Sequence, residues 1–252
     1  MPHKVILCLI GFLWTAFLAG VVSEDSASAN ALSGVTLLST SLSDLALSPA
    51  IPAAGIGFSC HLPFGIPSAA VYSLNTASSV GPFLVNSGGA FLEHTDYRRQ
   101  NFHLGLAWHY ESISVGGAGH LLYEKFGDLA SYHSWNGNLA LCIRGEDYGT
   151  EIRWLHAGSR DSELHLSTST YLGDGIACAA DYVYVPHGDD NYRCATTCDI
   201  GGIFQLLASW QNTPARFGAG LKFNCGAIEL LYAIRTHPDL NLSHSLDLGL
   251  RW

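Results

Sequence analysis

Charge is what this 252-residue chain has least of. Asp, Glu, Lys and Arg make up 13% of it, and only 12 residues are basic against 21 acidic, a net charge of −9. No basic patch interrupts that balance, so nucleic acid is excluded as a partner. Long apolar runs are also missing. After residue 30, every hydrophobic stretch is broken by Gly, Pro or a charge before the roughly 18 residues that a spanning helix needs. Chemical motifs are sparse too. There is no Gly-x-Ser-x-Gly elbow, and the cysteines lack the paired C-x-x-C spacing of a zinc site. What the chain does have is 48% hydrophobic residues, 11% aromatics and 27 glycines. That is apolar for a secreted soluble protein.

The N-terminus carries an export pattern. Met1-Pro2-His3-Lys4 is a short basic region, Val5 to Val22 is apolar, and Ala27-Ser28-Ala29 fits the A-x-A cleavage pattern. A signal peptide over residues 1–29 is expected, with Val21-Val22-Ser23 as an earlier candidate site and an uncleaved anchor as the alternative. Residues 30–56 are rich in Ser, Ala and Pro but hold Leu37, Leu38, Leu42, Leu45 and Leu47. They are too apolar for a free tail and are expected to plug or cap the fold built by residues 57–252, or to form an irregular first strand.

From Phe58 onward the apolar residues alternate with polar or small ones. Successive side chains on a strand point to opposite faces, so each run has one greasy and one polar face. Phe102, Leu104, Leu106, Trp108 and Tyr110 oppose His103, Gly105, Ala107, His109 and Glu111. Phe204, Leu206, Ala208 and Trp210 oppose Gln205 and Ser209. Phe217, Ala219, Leu221 and Phe223 oppose Arg216, Gly218, Gly220 and Lys222. Gly173-Asp174-Gly175 marks a tight turn.

Twelve or thirteen segments can be read, and bacterial single-chain barrels have even strand numbers. The expectation is an all-β fold: one antiparallel transmembrane β-barrel over residues 57–252, with about 12 strands. Ten or 14 remain open because residues 57–100 are ambiguous. A strand in lipid must pair every backbone group, and closure removes the edges. Tyr110, Tyr123, Tyr184, Trp210 and Trp252 near strand ends suit the interfacial aromatic girdles of such barrels. If the C-terminus is periplasmic, counting backwards puts the His187–Asn191 connector on the periplasmic side and Arg235–Asn241 outside.

The polar faces collect Glu111, Arg144, Arg153, Asp181, Lys222, Glu229, Asp247 and Arg251, the expected lumen lining. Both signs are present, so pairing within a plugged interior is favoured over a selectivity ring. His103, His109 and Glu111 share one face, but residues 103 and 109 are about 20 Å apart along a strand, so one ion cannot bridge them. His187, Asp189 and Asp190 read as a solvated turn. No metal and no cofactor are expected. Six cysteines follow residue 29; Cys194 and Cys198 flank Ala195-Thr196-Thr197 and could close a small disulfide loop, whereas four of the six sit in strand patterns as small hydrophobes.

The last strand, Leu242 to Trp252, alternates strictly and ends on an aromatic. Leu246, Leu248, Leu250 and Trp252 resemble the assembly signal of bacterial outer-membrane barrels, which the barrel-insertion machinery reads. Glu229-Leu230-Leu231-Tyr232-Ala233, a loop, and Asp239 through Trp252 resemble the closing hairpin of FadL/PorV-like barrels. Leu231 stands where that family has an acid, Asn241-Leu242 where it has a glycine, and Trp where it has Phe. Ser41 to Ala50 resembles the segment near the start of those barrels that ends in Asn-Pro-Ala, with Ser48 in place of the asparagine. The resemblance implies the outer membrane of a Gram-negative-type bacterium and outer-membrane lipid as surroundings. It also implies a non-enzymatic role as pore, hydrophobic-solute transporter or scaffold of a secretion or surface complex. A barrel enzyme acting on lipid or peptide, and a secreted soluble β-sandwich or adhesin, are the alternatives. In an outer-membrane fraction, the unboiled protein should need detergent for extraction and migrate faster on a gel than the boiled protein. Release without detergent and no mobility shift would sink the barrel.

Overall fold

The computed structural model describes residues 26–94, 96–128, 131–157, 162–186 and 188–252. The alternating runs become strands that close on themselves. They are β1 (Gly55–Leu62), β2 (Val71–Val80), β3 (Phe83–His94), β4 (Tyr97–Tyr110) and β5 (Ile113–Phe126). β6 (Tyr132–Arg144), β7 (Tyr148–Ala157), β8 (Glu163–Gly173), β9 (Ile176–Tyr184) and β10 (Asn191–Ile200) follow. β11 (Phe204–Gln211), β12 (Arg216–Cys225), β13 (Ile228–Arg235) and β14 (Ser243–Arg251) complete the ring. Each strand pairs antiparallel with its sequence neighbours, and β1 pairs with β14 from Gly55↔Arg251 to Leu62↔His244. No edge is left open.

The count is therefore 14, not the favoured 12. The strand the alternation misses is β10. Its outward residues are Tyr192, Cys194, Thr196, Cys198 and Ile200, and its inward ones include Arg193, Ala195 and Thr197. With small and hydroxyl side chains on both faces, no greasy parity stands out. This also corrects the orientation of the loops. Four strands, not three, separate the connector 185–190 from 236–242, so both lie on one rim. His187 itself lies outside the described residues. The rim that carries the C-terminus has only two- and three-residue turns, such as 81–82, 145–147 and 226–227. The opposite rim has connectors of up to eight residues. Short turns on one side and longer loops on the other are the usual barrel pattern.

Cys194 and Cys198 sit four residues apart on one face of β10, about 13 Å at the strand rise. That is beyond disulfide reach, and both are free thiols. The closed ring also removes the β-sandwich alternative, since two sheets never face each other.

Outside, the wall is apolar. Leu104, Leu141, Leu206 and Leu246 stand exposed around it, and so do Leu248 and Leu250. Tyr110 and Trp252 lie at the short-turn rim, Tyr184 and Trp210 towards the other. Such a band, with all backbone groups paired, is what a bilayer requires.

Inside lies the N-terminal segment. Residues 26–54 thread the lumen as a short helix α1 (Ala27–Ala31) followed by single 3₁₀ turns at Thr36–Leu38 and Leu42–Ala46. Ser26 caps α1 by accepting from the Ala29 amide at 2.9 Å. A five-residue helix is not stable alone; packing holds it. Ala27, Ala31, Leu32 and Val35 bury against Ala179, Ala195, Leu207, Leu231 and Ala233 of the wall. Close approach requires glycine on the wall: a Cβ at Gly218 would stand 2.2 Å from the Asn30 carbonyl oxygen, and one at Gly220 2.8 Å from the Ala31 Cβ. The expected boundary at residue 29 therefore runs through a buried helix. The earlier candidate site, Val21-Val22-Ser23, lies outside the described residues.

Candidate functional site

The site is the interface between this plug and the lumen wall. Three groups of side chains hold it. At the first, Asp247 on β14 accepts from the amides of Ala27 and Ser28 at 2.9 and 3.4 Å and from Ser41 Oγ at 3.4 Å. A carboxylate facing the start of a helix meets amides that have no partner within it. Beside it Asp44, on the plug, accepts from Ser26 Oγ at 2.5 Å and from Ser39. Burial pushes the Asp44 carboxyl above its ordinary range, and hydrogen bonds from serines 26, 39 and 28 pull against that rise.

At the second, Glu151 on β7 accepts from Thr36 Oγ1 at 2.5 Å and from Ser48 Oγ. It lies 3.8 Å from Arg153 Nε. Arg153, with its side chain only 1% exposed, donates to the Gly34 carbonyl at 3.0 Å and lies 3.9 Å from Asp181. Asp181 is in turn held by Ser167 at 2.8 Å and His165 at 2.9 Å. The serine at position 48, where the resembling family has asparagine, thus gives its hydroxyl to Glu151.

At the third, Glu229 bridges Lys222 at 2.9 Å and Arg251 at 2.5 Å. Both cations reach the plug at Thr40: Lys222 donates to its Oγ1 at 2.8 Å, and Arg251 to its carbonyl. Buried charges tolerate desolvation only when paired and hydrogen-bonded, and here plug backbone and hydroxyls supply the missing partners.

Of the eight lumen residues expected from the sequence, Arg153, Asp181, Lys222, Glu229 and Asp247 are buried inside. Arg144 and Arg251 lie on inward positions at the short-turn rim. Glu111 does not line the lumen. It occupies the β4–β5 turn with φ +49° and is exposed. The three groups spread around the barrel and do not converge on one centre. Reading the sequence missed Glu151 and His165 as site residues, although both share the parity of charged neighbours. It also missed Asp44, Arg193 and Arg235. These two arginines, with Arg153 and His165, line a cavity of about 20 Å³ above Gly34, room for one or two waters. Arg193 Nη1 donates to the Ser33 carbonyl at 3.1 Å there.

Other pairings are structural. Ser245 and His61 lie 2.7 Å apart, with the Asn30 amide donating to Ser245 at 2.9 Å from the plug. His109 pairs with Ser114 at 2.7 Å. Among the described residues, no group of three or more His, Cys, Asp or Glu is placed to hold a metal ion.

No protein-family model and no curated protein sequence matches the chain. Solved structures do. The CymD monoaromatic hydrocarbon channel aligns at 12% identity over 93% of this chain and 98% of that one, with a TM-score of 0.66. The P. putida toluene transporter TodX aligns at 9% identity over 85% of this chain and 95% of that one, with a TM-score of 0.60. The chain shares the fold of these two barrels. At such low identity the likeness concerns the architecture alone.

Removing one partner of a buried charge group strands the others. Glu151→Ala should destabilise the barrel by about 3 kcal/mol, read from the urea dependence of the gel mobility shift, and should open the N-terminal segment to protease. Asp128→Ala, at an exposed turn, should change stability by less than about 0.5 kcal/mol. Equal behaviour of the two would show that Glu151 does not hold the plug.

Proposed function

We propose that the chain is an exported outer-membrane channel that passes small hydrophobic solutes, with residues 26–54 as its gate. The observation that carries this reading is a lipid-facing barrel whose lumen is occupied by its own N-terminal segment, held through hydrogen bonds and ion pairs rather than by covalent links. An apolar exterior anchors the chain in lipid. The plug blocks free passage of water and ions. A solute crosses when the plug shifts, and the hydroxyl-to-carboxylate contacts at Asp247 and Glu151 are the kind that re-form after such a shift.

Two further observations support the reading. The barrels that share the fold are a hydrocarbon channel and a toluene transporter, and residues 41–50 and 229–252 resemble FadL/PorV-like barrels. The terminal Leu246, Leu248, Leu250 and Trp252 serve as the signal for insertion. β14 presents these leucines to lipid while it closes the ring against β1.

Cells that carry the chain in their outer membrane should take up labelled toluene several-fold faster than the same cells with an empty vector. Equal rates for toluene and for other small uncharged aromatics, with the barrel shown to be inserted, would overturn the channel.

A further inference from the structure

The lumen wall has two unlike halves. From β7 to β14 it carries buried charges, of which Glu151, Arg153, Lys222, Asp247 and Arg251 engage the plug. From β2 to β6 the middle of the wall is neutral. Two register rows cross it side by side. One runs Asn75–Gly88–His103–His120–Asn136, the other Ala77–Asn86–Gly105–Ala118–Asn138. Neither row holds an Asp, Glu, Lys or Arg.

Among the described residues, several side-chain atoms of these rows lack a hydrogen-bond partner, as do the Nε atoms of Arg153, Arg193 and Arg251 across the lumen. Asn75 Nδ2, both amide atoms of Asn86, His103 Nε2 and Asn136 Oδ1 are buried without a hydrogen-bond partner among the described residues. So is Asn101 Oδ1, one inward position from His103. Buried polar atoms are normally satisfied, and a cluster that is not calls for an explanation. The wall is thinned at the same place. A Cβ at Gly88 would stand 2.2 Å from Asn75 Oδ1 and 2.6 Å from His103 Cε1, and one at Gly105 2.5 Å from Asn86 Oδ1. The glycines are what let these amides and the imidazole lie along the wall. Among the described residues, the plug meets the belt through no charged group, with Asn138 Nδ2 donating to the Ala46 carbonyl at 2.6 Å. Towards the short-turn rim the same wall turns apolar, where Ala77, Leu84 and Ala107 pack on Leu42, Leu45 and Ile51 of the plug.

We propose that the seam between the plug and β2–β6 is the solute path, and that its amide–imidazole belt selects uncharged molecules with one hydrogen-bonding group on an apolar body, such as phenols. The proposal rests on the channel reading of the barrel. When the plug yields on this side, where no ion pair among the described residues holds it, the belt offers both donors and acceptors to a hydroxyl, and the apolar stretch beyond receives the ring. A carboxylate would leave water without meeting a counter-charge within the belt's two rows. A bare hydrocarbon would leave the belt's polar atoms unpaired, which is how a polar site rejects an analogue that lacks the group.

The test is uptake of labelled 4-methylphenol, toluene and 4-methylbenzoate by cells carrying the chain, each compared with vector cells. The gain for 4-methylphenol should exceed that for toluene by at least about fivefold, and 4-methylbenzoate should stay at the vector rate. N75L/H103L should bring the two gains close to equality, with insertion checked by gel mobility. Asn86→Leu alone should move the ratio in the same direction and serves if the double variant does not insert. Toluene and 4-methylphenol gains that are equal in the wild type, or a ratio that neither variant moves, would overturn the belt and leave the channel standing. No gain for any of the three solutes would bring down the channel reading, and the belt with it.

Discussion

A ring of 14 strands encloses more space than its own side chains can fill. Eight strands close around a packed interior, while 16 or more leave an aqueous channel. Between those limits the lumen must stay wet or be filled from elsewhere. This chain fills it with residues 26–54. The small inward residues of the wall, the glycines at 218 and 220, and the Ser- and Ala-rich composition of the plug all follow from that one constraint. So does the placement of charge. The outer face meets lipid, so ionisable groups in the middle of the strands turn inward, where the plug supplies serines, threonines and backbone groups to meet them.

The plug is bound in a way that suits release. Its apolar contacts are mainly Ala, Leu and Val, which slide at modest cost. Its specific contacts are hydrogen bonds to Asp247, Glu151 and the Lys222–Glu229–Arg251 group. A network of this kind is stable while complete and costly when half made, so it favours a defined closed state over a loose one. The charged contacts lie on β7 to β14, and the middle of the wall from β2 to β6 is neutral, with Asn138 donating to the plug there. That asymmetry gives the plug a fixed side and a side that can part.

Much of this is legible in the sequence. Strict alternation in β4, β11, β12 and β14 shows a lipid face and a lumen face, and parity alone brings Arg153, Asp181, Lys222, Glu229 and Asp247 to the inside. Where both faces are made of small residues the signal fails. β10, with Cys194, Thr196 and Cys198 outward, escapes the pattern for this reason. β2 and β3, with Ser73, Ala77, Gly88 and Gly89, stay ambiguous. Parity also cannot tell a strand's last inward residue from the turn beyond it, which is why Glu111 reads as a lumen residue and is not one. The latch is not legible. Ser26, Ser39, Ser41 and Ser48 are unremarkable in a Ser-rich segment, and only the fold brings them to Asp44, Asp247 and Glu151. The export pattern conceals the same point, because Ala27-Ser28-Ala29 satisfies both a cleavage rule and a tightly packed helix.

The central claim is that solutes pass only when the plug moves. Ser43 Oγ on the plug and Ser59 Oγ on β1, beside the side that parts, lie 2.6 Å apart, close enough for a disulfide in S43C/S59C. Toluene uptake by cells with this variant should fall to the vector rate when the pair is oxidised and return to the wild-type rate on reduction. Uptake that is the same in the oxidised and reduced states would contradict the account, since a plug fixed to the wall would then not stand in the way.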